Sequence, residues 1–486
     1  MIKAFVKDFV KYLPTAIVPA VVGLISVPVL TRLFSPGDYG NYTLVLTTVN
    51  IFAIVNAWLS MSVIRFLPSY EREGKLKEFT ASVIQTTVIS ICGIALLFAL
   101  ALILIPGNGE TELRSMMQIG IAIFALNGLI EVLLHFLRAR RQVWLFSIFR
   151  VWQVTTTLAF GLLFIVQYEC GVRGMLYGAL LSGILMVPLL WSKSVGPGRF
   201  RPCRVSRTML REMAAYSFPL VAANLSAWVL NFSNRFFLKW FCGSDDVGIY
   251  SASYNISQRT VMLFVTVFVS AFGPLIIHVW EKQDKKATEE YLTKLTRLFF
   301  MLCVPAIVGL SVLAKPLVGV MTQEEYLLGY RIVPFVTCGA LLIGLQQIYQ
   351  TPFLLHHKTV PITVCFALAA IFNVVLNICL MPKYGYMAAA FNSMVCYALY
   401  FALVAVCSRK YMQWAFPLKP LTKILLAATI MGSVSYYLGN HFTASTVCNL
   451  TLAVSGGILV YFSVLFLLGE FSKADIRAIL ALKRKS

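Results

Sequence analysis

The chain has 486 residues, of which 59% are hydrophobic and only 13% charged, and its formal net charge is +21. A soluble chain carries about 25% charge, so these proportions exclude a string of soluble domains and point to a helical membrane body. The basic residues lie in short connections between apolar runs, which directs them to topology and anionic lipid headgroups rather than to nucleic acid.

Lys3, Lys7 and Lys11 precede an apolar run from Tyr12 to Phe34. That run is too long for a signal-peptide core and ends in Thr31-Arg32-Leu33-Phe34, not in a small-residue cleavage site, so it reads as a retained first membrane helix. Further spans are expected at 41–66, 82–105, 116–137, 144–167, 173–191, 214–238, 249–275, 298–315, 331–352, 360–380, 387–408, 421–439 and 447–468. Each has about the 20 residues a bilayer requires. Continuous apolar runs without period-two alternation specify helices and not a barrel. The fold class is therefore an all-α integral membrane protein of about 14 transmembrane helices.

One set of connections, including those holding Lys75, Arg140, Arg207, Lys285 and Lys410, carries 31 of the 41 Lys and Arg, and the opposite set carries seven. The richer set belongs in the cytoplasm, with both termini. The longest connection, 192–213, is basic, contains Gly196-Pro197-Gly198 and reads as a linker between a lobe of six spans at 1–191 and a second at 214–408. Residues 409–486 then hold two further spans and a cytoplasmic tail. The segments 281–297 and 470–486 read as short amphipathic helices. The 11 cysteines show neither a pairing pattern nor metal spacing. Cys170 and Cys242 fall in outside loops, where a disulfide between them stays open.

An internal repeat supports two lobes. Asp38-Tyr39-Gly40-Asn41-Tyr42 and Asp246-Val247-Gly248-Ile249-Tyr250 share Asp-x-Gly-x-Tyr, each leading into a span. Gly171-Val172-Arg173-Gly174 resembles Gly385-Tyr386-Met387-Ala388, ahead of the sixth and twelfth spans. Two copies in one orientation are parallel repeats, related by an axis along the membrane normal.

Ionisable groups inside spans are costly and face a partner or a water-filled path. Arg259 lies about ten residues into the eighth span, beside Tyr254, Asn255 and Gln258. It reads as a cation for an anionic substrate, or as half of a structural pair. Arg150 and Glu131 each lie six residues inside the cytoplasmic ends of antiparallel spans five and four, so an ion pair between them is expected. His135 is one turn from Glu131. Together these groups form either a proton or sodium relay or a structural clasp. Arg32 and Arg235 lie near outer span ends, snorkelling to the interface or extending a basic path outward. Asn56, Asn231 and other amides in spans either contact sugar hydroxyls or join helices. Prolines 14, 19, 28, 219 and 274 can bend their spans. No phosphate loop, paired-His metal motif or nucleophile elbow is present, so an enzyme is not expected and no cofactor is implied beyond proton or sodium coupling.

Thr31-Arg32-Leu33-Phe34-Ser35-Pro36-Gly37-Asp38-Tyr39-Gly40, Phe218-Pro219-Leu220 and Ser244-Asp245-Asp246-Val247-Gly248-Ile249-Tyr250-Ser251-Ala252-Ser253-Tyr254 resemble the corresponding segments of Wzx-type O-antigen and capsule flippases, of the multidrug/oligosaccharidyl-lipid/polysaccharide exporter superfamily. The resemblance implies two six-helix lobes around a central cavity that alternates between inward- and outward-open states in the bacterial inner membrane. It implies a substrate of oligosaccharide on undecaprenyl pyrophosphate, with membrane lipids and polysaccharide assembly machinery as partners. It also implies a cation-lined cavity, which fits Arg150 and Arg259, and a lipid-facing groove formed by spans 13 and 14. The lack of a second-half intramembrane carboxylate departs from ion-coupled relatives. The alternatives are a peptidoglycan-precursor flippase, a multidrug exporter of the same superfamily and, from another class, a membrane polymerase or ligase.

Overall fold

The structure, a computed structural model, describes residues 2–104, 111–196, 205–441 and 445–470, without the side chains of 2–13, 16, 271, 274, 440 and 441. Lipid offers no hydrogen bonds to a bare backbone, so long apolar runs close their own i→i−4 ladders and form helices. Among the described residues twelve helices are long and apolar enough to cross a membrane, and Ile17–Leu33 is a shorter apolar stretch. The protein is thus a multi-pass membrane protein.

The chain forms two compact units, Met1–Gly248 and Ile249–Ser486. The first contains α1 (Ile2–Leu33), α2 (Pro36–Arg72), α3 (Leu76–Leu104), α4 (Thr111–Ala139), α5 (Val143–Val166), α6 (Arg173–Ser194), α7 (Arg207–Phe232) and α8 (Asn234–Phe241). It also holds the first turn of α9 (Ser244–Lys282). Its core gathers Leu59, Val63, Phe79, Leu133, Phe136 and Met213 from α2, α3, α4 and α7. Ser62 Oγ lies 2.7 Å from Ser217 Oγ and 3.3 Å from Met213 O, joining α2 to α7 by polar contacts within apolar surroundings.

The second unit contains the rest of α9, α10 (Lys285–Val312), α11 (Ala314–Met321), a 3-10 helix (Glu324–Ile332), α12 (Val333–Tyr349), α13 (Thr351–Leu355), α14 (Val360–Ser408), α15 (Leu418–His441) and α16 (Thr446–Leu467). Val265, Leu295, Phe299, Ala340, Ile424 and Tyr461 pack in its core. Tyr461 Oη donates to Met301 O at 2.8 Å, fastening α16 to α10. Arg297 Nε, on α10, meets Glu470 Oε1 at 2.7 Å, and Lys423 Nζ, on α15, meets Glu470 Oε2 at 3.6 Å, so a buried carboxylate just past α16 joins three helices.

The 49 residues of α14 would extend about 74 Å as one helix, more than twice the ~30 Å hydrocarbon core. Gly385 interrupts it, with φ 54° and ψ −137°, a backbone region almost restricted to glycine. Residues 360–384 and 386–408 therefore correspond to two expected spans, and with the α1 stretch the count reaches about 14. Gly171, at the matching place before α6, also has positive φ, at 56°. The second echo in the sequence thus has a backbone reason.

The first echo has a steric one. A Cβ on Gly248 would fall on Pro36 O, and a Cβ on Gly40 would fall on Ser244 O. The two glycines of the repeated pattern let the amino ends of α2 and α9 touch. Ser244 Oγ donates to Asn41 Oδ1 at 2.7 Å beside them, and Ser35 Oγ caps α2 by accepting from Asp38 N.

Several expectations change. The expected seventh span is broken at Ser233, between α7 and α8. The stretch expected as a separate amphipathic helix at 281–297 instead divides between the end of α9 and the start of α10, because only Gln283 and Asp284 interrupt the helical ladder and Asp284 caps α10. No disulfide joins Cys170 and Cys242. Residues 197–204 of the expected linker and the 470–486 helix, apart from Glu470, lie outside the described residues.

Candidate functional site

In the first unit α4 and α5 form an antiparallel hairpin closed through Arg141, which takes φ 57°. Glu131 lies eight residues before the end of α4 and Arg150 seven after the start of α5, so the hairpin brings them to one level. Arg150 Nη1 meets Glu131 Oε1 at 2.7 Å and Arg150 Nη2 meets Glu131 Oε2 at 2.6 Å. This is the two-pronged geometry that best suits a guanidinium and a carboxylate. The guanidinium also lies 5.6 Å from the centre of the Phe146 ring. The two side chains remain 27% and 32% exposed, so the pair is accessible rather than sealed in the core.

Two groups missed in the sequence extend this pair. Arg150 Nη1 donates to Gln153 Oε1 at 3.2 Å, and Gln153 Nε2 donates to Asn127 Oδ1 at 3.1 Å. The signal was present, since Asn127 is one turn before Glu131 and Gln153 one turn after Arg150, on the same helix faces. His135 Nδ1 lies 2.7 Å from Glu131 O and 3.9 Å from Glu131 Oε2. The ring is therefore anchored to its own helix, and the carboxylate stands beyond hydrogen-bond distance of it.

Arg235 is 3% exposed, at the start of α8, with its guanidinium 5.2 Å from the Phe232 ring centre and Nη1 3.5 Å from Asn231 O. Of the two readings of this residue, the burial speaks against a side chain reaching out to the interface, and Arg235 packs against Phe232. Asn231 itself donates to Ala227 O at 2.7 Å. Arg32 is exposed in the last turn of α1. Asn56 is buried on α2, and its Oδ1 has no hydrogen-bond partner among the described residues.

In the second unit Tyr254, Asn255, Gln258 and Arg259 share α9. Tyr254 is buried and stacked on Tyr250, with ring centres 5.3 Å apart. Asn255, Gln258 and Arg259 are half-buried. Among the described residues Arg259 makes no ion pair and no hydrogen bond. A half-buried guanidinium without a partner in an apolar helix carries a desolvation cost that an anion would offset.

The same unit holds an apolar groove of about 470 Å³. Leu302, Pro305 and Leu310 of α10, Met431 of α15, and Val454 and Ile458 of α16 line it, and no charged side chain does. No cluster of three or more metal-ligating side chains occurs among the described residues.

With this geometry described, comparison with known proteins adds the following. Residues 29–328 match the family described as "Polysaccharide biosynthesis protein". The chain is 21% identical to the probable flippase AglR of Haloferax volcanii, over 92% of each chain. Its fold is similar to that of a structure described as lipid II flippase MurJ, inward closed conformation, with TM-score 0.75 at 16% identity over 95% of this chain and 98% of the other. It is also similar to an inward-facing multidrug resistance MATE family transporter of the MOP superfamily, with TM-score 0.67 at 13% identity over 80% and 94%. The family match spans well over half of the sequence, and the chain belongs to the polysaccharide biosynthesis protein family, with the fold of the MOP-superfamily transporters.

Proposed function

We propose that this protein is a flippase that carries undecaprenyl-pyrophosphate-linked oligosaccharide, an O-antigen or capsule repeat unit, across the cytoplasmic membrane by alternating access. The observation that carries the reading is Arg259, a half-buried guanidinium with no partner among the described residues, on an apolar helix. A diphosphate offers the paired oxygens that a guanidinium binds best. A diphosphate bound there would neutralise this charge. The naming of AglR as a probable flippase points the same way.

In this scheme the headgroup arrives from the cytoplasmic side, drawn by the basic connections, while both termini face the cytoplasm. Arg259 holds the diphosphate. Arg150, already tied to Glu131, is a second and weaker position, and Arg32 and Arg235 continue the basic path. Tyr254, Asn255, Gln258, Asn231 and Asn56 are the proposed sugar contacts. The groove beside α10, α15 and α16 takes the polyprenyl tail, since its lining is mostly apolar and uncharged. Lobes at 1–191 and 214–408, joined by the 192–213 linker, rock to expose the headgroup outside. Glu131 and His135 are proposed for ion coupling.

The test is translocation of defined lipid-linked oligosaccharides in proteoliposomes. Wild type is expected to flip them, and Arg259→Ala to lose flipping while still inserting and folding. Equal flipping by both proteins would remove Arg259 from the mechanism. A folded wild type that flips no pyrophosphate-linked sugar would refute the flippase reading. Rescue of strains lacking a peptidoglycan-precursor flippase, but not of strains lacking a polysaccharide flippase, would reassign the substrate.

A further inference from the structure

We infer that a separate site at the carboxyl end of α14 binds a phosphate headgroup bearing a glycerol or a sugar. A cavity of about 560 Å³ opens there, lined by Tyr349 at the end of α12, Phe401 and Ser408 of α14, and Arg409, Gln413 and Trp414 of the connection that follows. Its volume falls within the range of small-molecule pockets. None of these residues belongs to the positions assigned above.

The walls are aromatic. The Tyr349 ring centre is 5.0 Å from that of Phe401, at 78°, and 4.7 Å from that of Trp414. Such faces suit the C–H surfaces of a sugar or glycerol, and the Trp414 indole N–H is buried without an acceptor among the described residues.

The cation is Arg409. Its side chain is exposed and makes no hydrogen bond or ion pair among the described residues, its backbone carbonyl alone accepting from Gln413 Nε2 at 3.3 Å. The nearby carboxylate Glu289 is engaged elsewhere: its Oε1 accepts from the Gln413 backbone N–H at 2.9 Å and so holds the connection in shape. Ser408 Oγ donates to Ala405 O at 3.0 Å, leaving its lone pairs and not its proton toward a ligand. The end of α14 presents backbone carbonyls and partial negative charge, which disfavour an anion. Anion binding here therefore turns on the Arg409 guanidinium. A lipid source follows from neighbouring chain positions, since Val406, next to the lining residue Ala405, and Leu418, two residues after the lining residue Phe416, are 64% and 65% exposed and give acyl chains an apolar surface.

Two lipids share this chemistry, an anionic phospholipid and the sugar-pyrophosphate lipid of the proposed transport reaction. The experiment uses the full chain in mild detergent and counts bound ligand by native mass spectrometry. The probes are dioctanoyl phosphatidylglycerol, dioctanoyl phosphatidylcholine, a short-chain polyprenyl pyrophosphate carrying one sugar, and inorganic phosphate. Wild type is expected to bind at least one anionic lipid in preference to phosphatidylcholine. Arg409→Ala should weaken that binding about tenfold or more, and Arg409→Lys by less, as for loss of a charge-assisted bond. Binding confined to phosphatidylglycerol makes the site one for bulk membrane lipid. Its displacement by the sugar lipid makes it a holding site for substrate. Unchanged binding in Arg409→Ala, or equal binding of phosphatidylcholine or inorganic phosphate, would overturn the inference. Arg409 is exposed at a helix end, and a thermal-unfolding midpoint equal to wild type establishes that the variant folds. Because the readout is binding, its failure is separate from any failure of flipping.

Discussion

Replacing Gly248 by alanine is expected to destabilise the first unit, although the change adds one methyl group to a helix. The added Cβ would meet backbone rather than a movable side chain: Pro36 C lies 2.6 Å and Pro36 Cα 2.9 Å from its position, with Pro36 O nearer still. Because Pro36 O lies 1.9 Å from that position, restoring an ordinary contact of ~3.5 Å requires the amino end of α9 to retreat by about 1.6 Å from α2. That movement also strains the Ser244–Asn41 hydrogen bond. Overpacking of this kind costs about 1–3 kcal/mol, which for a unit of about 250 residues lowers the midpoint by about 2–12 °C. The assay is thermal unfolding of the purified full chain in detergent. Gly93→Ala is the control, since nothing lies within 4 Å of its Cβ position and it sits inside α3, so that change should be neutral or stabilising by about 0.5–1 kcal/mol. Gly40→Ala should resemble Gly248→Ala, and the double variant should cost less than the sum because one helix separation relieves both clashes. A Gly248→Ala protein that unfolds with the wild type would refute the close approach.

Three further expectations can be checked on the same purified chain. Glu131→Ala and Arg150→Ala should each lower stability by about 1–2 kcal/mol after allowing for the partial exposure of the pair, read as a lower unfolding midpoint, while the double variant recovers part of the loss; strictly additive effects would exclude the pairing. Glu470→Gln should cost about 1–3 kcal/mol and raise protease cleavage around α15 and α16, because Arg297 and Lys423 lose their shared anion; an unchanged digestion pattern would argue against the clasp. Burial, opposed by a hydrogen bond from the Cys242 thiol and reinforced by the Asp245 charge, raises the Asp246 carboxyl above its ordinary value. A raised carboxyl contributes stability at pH below the ordinary carboxylate range, lost as pH climbs through the folded-state value, so Asp246→Asn should stabilise the protein at neutral pH and flatten that acid-side slope; a variant whose midpoint follows wild type across the titration would count against it.

Much of the candidate site was legible where chemistry follows local rules. The Glu131–Arg150 contact could be expected because a short connection forces α4 and α5 antiparallel, and equal counts from the turn give equal depth. Gln153 and Asn127 were equally within reach by helical spacing. Arg259 stood out because charge is rare inside apolar runs. Arg235 allowed two readings, because distance from the end of an apolar run does not say which neighbours cover a side chain, and the structure buries it beside Phe232. The Glu470 carboxylate gave no signal at all, since its partner Arg297 is 173 residues away and nothing local marks a tail residue as buried.

A helical membrane protein with about 14 spans and an internal echo is legible in the residues alone, because hydropathy and the need to satisfy the backbone in lipid act along the chain one segment at a time. What the echoes do becomes visible once the helices are packed. Gly40 and Gly248 are 208 residues apart, and their use is to remove two Cβ atoms from one crossing of α2 and α9. Likewise the walls around Arg409 come from α12, α14 and the connection after it. Such contacts arise from how finished helices pack, and packing depends on which surfaces meet in space, which no single stretch of sequence specifies.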